Sequence, residues 1–131
     1  MRILHITDTH LLGAGLHYDR VDTAGLLAEV VDHARSAPRC DHIVVTGDVS
    51  EDGTADSYAA AREIIAPLAG EWGAGLVWAA GNHDQRDPMR RALGIDGTGS
   101  EPVRTVGEGI IVADTSVPRA GWGLLLSLIH I

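Results

Sequence analysis

Three short apolar runs punctuate the chain: Ile3-Leu4-His5-Ile6-Thr7, Ile43-Val44-Val45-Thr46 and Leu76-Val77-Trp78-Ala79-Ala80. Their brevity and near-continuous apolar character predict buried strands. Between them the period lengthens. Over about residues 22–36, Leu27, Val30, Val31 and Ala34 fall at i, i+3, i+4, i+7, an apolar stripe that predicts a helix stopped by Pro38. Thr54 is placed to cap a second helix, with Asp56 adding negative charge to its first turn. Tyr58, Ala61, Ile65 and Leu68 form its buried face, and Gly70, Gly73 and Gly75 are expected to break it. A short third helix over about 88–93 opens on Pro88. Residues 102–106 and 109–113 read as a hairpin joined at Gly107-Glu108, while 11–18 and 94–99 read as loops. No repeat or low-complexity segment interrupts this order. Alternating strands and helices predict an α/β domain with a parallel sheet.

Each strand-like run is followed directly by a polar motif: Asp8-Thr9-His10, Gly47-Asp48 and Gly81-Asn82-His83-Asp84. A parallel sheet brings all three to one edge, at the carboxyl ends of the strands, where open α/β sheets place their sites. Two Asp, two His and one Asn at one edge form a donor set for two divalent metals acting on phosphate esters. Asp8 and His10, at i and i+2 of an extended segment, would point to one side and share a metal. Asp48 has two carboxylate oxygens and can bridge two cations. Asn82 can offer a neutral carbonyl oxygen. His83 can give a proton to a leaving oxygen if a carboxylate holds its other nitrogen. Gly81 permits an unusual backbone angle or a close approach. Taken singly, the first two motifs are weak, because turn-capping Asp and solvated His are common. The Gly-Asn-His-Asp string is strong: chance yields it in such a chain with odds on the order of one in a thousand.

Composition narrows the reading. The 131 residues, 45% hydrophobic and 21% charged, suit one globular domain with a core. A formal charge of −8 weighs against nucleic-acid binding, which leans on Lys and Arg. It is compatible with a phosphate substrate, since bound metals reverse the local sign. No apolar stretch reaches the roughly 18 residues of a membrane span. The N-terminus lacks a basic region and an apolar signal core, and Cys40 is the single cysteine, so a cytoplasmic location is expected. Among the other histidines, His17 could line the pocket from its loop, His5 reads as packed or hydrogen-bonded, and His33 and His42 read as surface residues. Trp72 and Trp78 read as core or helix-packing residues.

The motifs Asp8/His10, Gly47/Asp48 and Gly81/Asn82/His83/Asp84 resemble the D-x-H, G-D, G-N-H-[D/E] pattern of the calcineurin-like metallophosphoesterase superfamily. Residues 6–12, 46–53 with Tyr58, 78–84 and 113–118 are most similar to bacterial class III cyclic-nucleotide phosphodiesterases. The resemblance implies the N-terminal part of a four-layer αββα sandwich. It implies that Asp8 and His10 bind a first metal, that Asp48 bridges, and that Asn82 binds a second. Iron, manganese or zinc suit these ligands. Asn82 and His83 would also contact substrate. His83 would stabilise the phosphorane or protonate the leaving alkoxide, oriented by Glu51, Asp52 or Asp84. A metal-bridging hydroxide would attack a 3′,5′-cyclic nucleotide, cyclic AMP first. The implied partner is a small phosphodiester rather than nucleic acid, with room for a homodimer in a full-length parent. A nuclease, a phosphomonoesterase or a non-catalytic scaffold on the same fold are the alternatives.

One departure tempers this. Family members carry further histidines, one alone and two in a Gly-His-x-His motif, and none of the seven here fits them. The second metal would keep only Asp48 and Asn82. The expectation is therefore a partial domain over 1–123, incomplete at its C-terminus, with an open sheet edge and little activity of its own. Residues 126–131 also resemble the translation of a transposon end sequence used in preparing sequencing libraries, so 124–131 are expected to be a non-native tail.

Overall fold

The structure is a computed structural model that describes residues 1–95, 103–106, 109–113, 115, 117, 120, 122 and 123. The expected tail at 124–131 and most of the 94–99 loop lie outside the described residues. Three parallel strands, β1 (Ile3–Thr7), β2 (His42–Thr46) and β3 (Gly75–Ala79), form a sheet in the order β1-β2-β3. Their register aligns Ile3, His42 and Gly75 at one end and Thr7, Thr46 and Ala79 at the other. All three carboxyl ends therefore finish level. β4 (Val103–Val106) and β5 (Ile110–Ala113) pair antiparallel as the expected hairpin.

Side chains alternate across the sheet. Leu4, Ile6, Ile43, Val45, Leu76 and Trp78 join one core with Leu27 and Val31 of α1 (Thr23–Ala34), and with Tyr58, Ala61, Ile65 and Leu68 of α2 (Ala55–Trp72). Met89 and Leu93 of α3 (Arg86–Leu93) close that core. The opposite face is covered unevenly. Val77 and Val112 are buried where β5 neighbours β3, while Ile3 on β1 is 43% exposed. A three-stranded parallel sheet with its helices and a separate two-stranded sheet are the elements expected of the N-terminal part of the αββα sandwich.

Several expectations need correction. Val30 does not join the α1 stripe: it is 57% exposed, because the core-facing ridge of α1 runs through Ala24, Leu27, Val31 and Ala34. Gly70 does not break α2, which continues to Trp72 and ends at Gly73, φ +66°, in the left-handed conformation that glycine adopts without steric cost. The burial of Leu68 and Ala69 outweighs the roughly 1 kcal/mol helix penalty of Gly70. Gly75 is not a breaker either. It opens β3, donating its N–H to the Asp41 carbonyl at 2.9 Å and leaving room for the His42 ring beside it. His42 is accordingly half-buried rather than a surface residue. α3 begins at Arg86, two residues before Pro88, which still lies in the first turn, where its missing N–H costs no helix bond. His5 bonds the Thr46 hydroxyl at 2.6 Å, and Trp78 is buried, both as expected.

The start of α2 is pinned to the first loop. Thr54 caps the helix, accepting from Ser57 N–H at 3.3 Å. Asp52 accepts from Gly13 N–H at 2.8 Å, from Thr54 N–H at 3.0 Å and from the Thr54 hydroxyl at 2.9 Å. Burial pushes the Asp52 carboxyl up, but these donors outweigh it and hold the group at about 2. Its folded-state value lies below the ordinary carboxylate range. Asp52 thus stabilises the fold in full above about pH 4, and that contribution is lost as pH falls toward about 2. Urea titrations across this range are expected to show a shallower acid loss for Asp52→Asn than for the parent chain. Equal slopes would show that the Asp52 contacts do not contribute.

Candidate metal centre

The two loops that leave β1 and β2 are zipped together. Asp8 N–H donates to the Gly47 carbonyl at 3.2 Å, His10 N–H to the Asp48 carbonyl at 2.9 Å, and Leu11 N–H to the Val49 carbonyl at 3.0 Å. Glu51 N–H returns to the Leu11 carbonyl at 2.9 Å. These bonds hold a backbone that local preference opposes: Asp8, His10 and Asp48 have φ of 55°, 44° and 37°. Left-handed conformations in non-glycine residues cost of order 1 kcal/mol or more, and they cluster at functional sites. The extended-segment reason for pairing Asp8 with His10 is therefore wrong. They meet because two strained turns are cross-linked. Asp8, His10 and Asp48 can each offer a ligand atom, all within 4.8 Å of one another.

The third motif packs against the second. A side-chain carbon at Gly81 would lie 2.2 Å from both the backbone nitrogen and Oδ1 of Asp48. Of the two roles open to Gly81, close approach is the one it plays. His83 N–H donates to Asp48 Oδ1 at 2.9 Å, which fixes the carboxylate from the side of the third loop. Buried Asp84 ties both loops together, accepting from Val49 N–H at 3.2 Å, Ser50 N–H at 3.0 Å and Gly81 N–H at 2.8 Å. Behind it, buried Tyr58 accepts from Gln85 N–H at 2.7 Å, and its hydroxyl is pushed up by burial.

Glu51 faces the histidines. Its Oε2 lies 2.7 Å from His10 Nδ1, 3.2 Å from His83 Nδ1 and 3.6 Å from His17 Nε2. The His10 hydrogen bond holds the Glu51 carboxyl below the ordinary range against an opposing burial effect, helped by the positive potential of His83, His10 and His17. Of the three carboxylates open for orienting His83, Glu51 is thus the one beside it. Asp52 spends its oxygens on the α2 entry and Asp84 on loop amides. With Nδ1 on Glu51, His10 turns Nε2 toward Asp48 Oδ2, 3.9 Å away. That is the outer-shell arrangement that orients a metal-binding imidazole. The Thr7 hydroxyl similarly donates to Asp8 Oδ2.

The centre fits a first cation on Asp8, His10 and Asp48. Asn82 is exposed and directly precedes His83, whose N–H meets Asp48. His17 stacks on His10 with ring centroids 5.7 Å apart, and His83 meets His10 edge-on at 5.3 Å. Sequence reasoning missed the contact of Glu51 with His10 and the clamps made by Thr7 and Asp84. Only the spacing of Glu51, three residues after Asp48, hinted at the first.

Comparison with known proteins bears on the family. The family model for calcineurin-like phosphoesterases matches residues 1–116. A probable cyclic nucleotide phosphodiesterase of Rhodococcus erythropolis is 39% identical over 92% of this chain and 42% of its own length. A 3′,5′-cyclic adenosine monophosphate phosphodiesterase of Pseudomonas aeruginosa is 42% identical over 94% of this chain and 44% of its own. A cAMP/cGMP dual specificity phosphodiesterase of Mycobacterium tuberculosis is 40% identical over 88% and 38%. The chain thus spans about two fifths of the length of these relatives.

Proposed function

This chain belongs to the calcineurin-like phosphoesterase family, and from that premise we propose that the whole protein is a dimetal phosphodiesterase of 3′,5′-cyclic nucleotides, cyclic AMP foremost. The carrying observation is the convergence of Asp8, His10 and Asp48 beside a Glu51-backed His83. The names of the relatives supply the substrate class. Asp8, His10 and Asp48 would hold one cation, and Asp48 with Asn82 another; iron, manganese or zinc suit such mixed nitrogen and oxygen donors. When bound, the cations supply Lewis-acid stabilisation of the phosphoryl charge.

The protein's own groups do the rest. Glu51 Oε2 lies 3.2 Å from His83 Nδ1 and would orient that ring, leaving Nε2 to pass a proton to the leaving 3′-oxygen. Asp48 Oδ1 accepts from His83 N–H, so the group that delivers the proton is anchored to a metal ligand. Asn82 and His17 would contact the substrate from the two neighbouring loops. Two protein ligands, one shared and one neutral, hold a second cation weakly, so the 131-residue chain is read as inactive on its own. A cytoplasmic location, a homodimer of the whole protein and a division at residue 123 belong to the same reading. Among the described residues no helix is long and apolar enough to cross a membrane.

The test is hydrolysis by the whole protein, loaded with Mn2+, of cyclic AMP, a chromogenic diester, a chromogenic phosphomonoester and single-stranded DNA. Preferential conversion of cyclic AMP to AMP is expected; preference for DNA or for a monoester would overturn the reading. Glu51→Gln keeps the shape but loses the ionised acceptor. It is expected to lower kcat by about 10- to 100-fold with KM little changed, the usual cost of an outer-shell carboxylate. An unchanged kcat would remove Glu51 from the mechanism.

A further inference from the structure

Glu51 and its histidine neighbours do something the Asp8–His10–Asp48 seat does not require. Three imidazole nitrogens converge on one carboxylate oxygen: His10 Nδ1, His83 Nδ1 and His17 Nε2. His17 comes from a separate turn, closed by reciprocal bonds between His17 and Val21 at 2.9 and 3.0 Å. Glycines at 13 and 15 precede that turn. His10, His17 and Glu51 are each half-buried and can each offer a ligand atom, all within 4.8 Å of one another. Two imidazoles and a carboxylate form a donor set suited to zinc, with a fourth position open. Around a tetrahedral zinc with bonds of about 2.0–2.1 Å, neighbouring ligand atoms sit about 3.4 Å apart. The separations here, 2.7 and 3.6 Å from Glu51 Oε2, bracket that value.

We propose that His10, His17 and Glu51 form a second, alternative zinc seat, which excludes occupancy of the Asp8–His10–Asp48 seat. Exclusion follows from His10 chemistry. A neutral imidazole carries one proton and offers one lone pair. In the first seat Nε2 is the donor and Nδ1–H rests on Glu51. In the alternative seat Nδ1 is the donor, the proton moves to Nε2, and Nε2–H faces Asp48 Oδ2 across 3.9 Å. No net proton is lost, so one tautomer shift in His10 moves the ion between seats. Occupancy of the second seat also takes Glu51 from His83, which makes excess zinc inhibitory in the whole protein. Hard cations such as Mg2+ prefer oxygen donors and do not take this seat.

The seat can be read by binding alone, independently of any hydrolysis. In the 131-residue chain, Asp48→Asn weakens the first seat and leaves every ligand of the second. Zn2+ added to this variant is expected to bind one to one and to move the side-chain nitrogen resonances of His17 Nε2 and His10 Nδ1. Adding His17→Ala is expected to weaken zinc binding by about tenfold or more. Should Asp48→Asn fail to fold by circular dichroism, Asp8→Asn serves the same purpose. His17 resonances that stay put under saturating Zn2+, or an affinity within about twofold after His17→Ala, would overturn the proposal.

Discussion

Asp48→Asn in the whole protein is expected to lower cyclic AMP hydrolysis by about three orders of magnitude while leaving the fold intact. The substitution is nearly isosteric, and Asn tolerates the left-handed backbone that Asp48 adopts at φ 37°, so the turn between β2 and α2 survives. The amide oxygen can still accept from His83 N–H. The formal negative charge goes, and with it the carboxylate proposed to serve both cations. Metal stabilisation of a phosphoryl transition state contributes several kcal/mol, and each 1.4 kcal/mol or so is tenfold in rate, hence about 10³-fold in all. The measurements are kcat on cyclic AMP, bound metal per chain by elemental analysis, and a thermal melt. Activity within about tenfold of the parent, with metal retained, would dismiss Asp48 as the bridge. A large fall in melting temperature would instead show that the charge serves the fold.

Gly81→Ala is expected to be the most damaging change of one methyl group. The added carbon would meet Asp48 N and Oδ1 at 2.2 Å and Gly47 Cα at 2.8 Å. Two of these three are backbone atoms of a cross-linked turn, so movement of the Asp48 side chain alone cannot relieve the clash. Overpacking costs typically 1–3 kcal/mol, and about 3 kcal/mol is expected here because relief requires moving the β2 turn. That movement would also pull Gly81 N–H from Asp84, whose buried oxygens then lose a donor. Gly70→Ala is the matched control. It lies inside α2 with nothing within 4 Å of the added carbon, and should raise stability by about 0.5–1 kcal/mol. Urea unfolding of both variants decides the matter. A Gly81→Ala chain as stable as its parent would mean that the third loop is not seated on the second.

How much of this was legible from residue order differs by element. The strands at 3–7, 43–46 and 76–80, and the helices between them, follow from hydrophobic period, and each lies within a residue or two of its place. The motif residues could be picked out because strand ends in a parallel sheet share an edge, whatever the loops do. The orienting carboxylate could not. Glu51, Asp52 and Asp84 are equivalent as letters, and only the hydrogen bonds of their surroundings separate them: Asp84 buried among amides, Asp52 at the entry of α2, Glu51 turned to the imidazoles.

The same division holds at the level of the backbone. One-dimensional pattern is enough to establish an α/β chain whose Asp, His and Asn groups gather at the carboxyl ends of three strands, because period and connectivity are local properties. Folding in three dimensions settles how they gather: through left-handed turns at Asp8, His10 and Asp48, which Asp and His tolerate better than most residues but still at a cost, held by cross-loop bonds formed only once β1 and β2 pair. Long-range hydrogen bonds pay for that strain, and partners some forty residues apart leave no periodic trace in the chain.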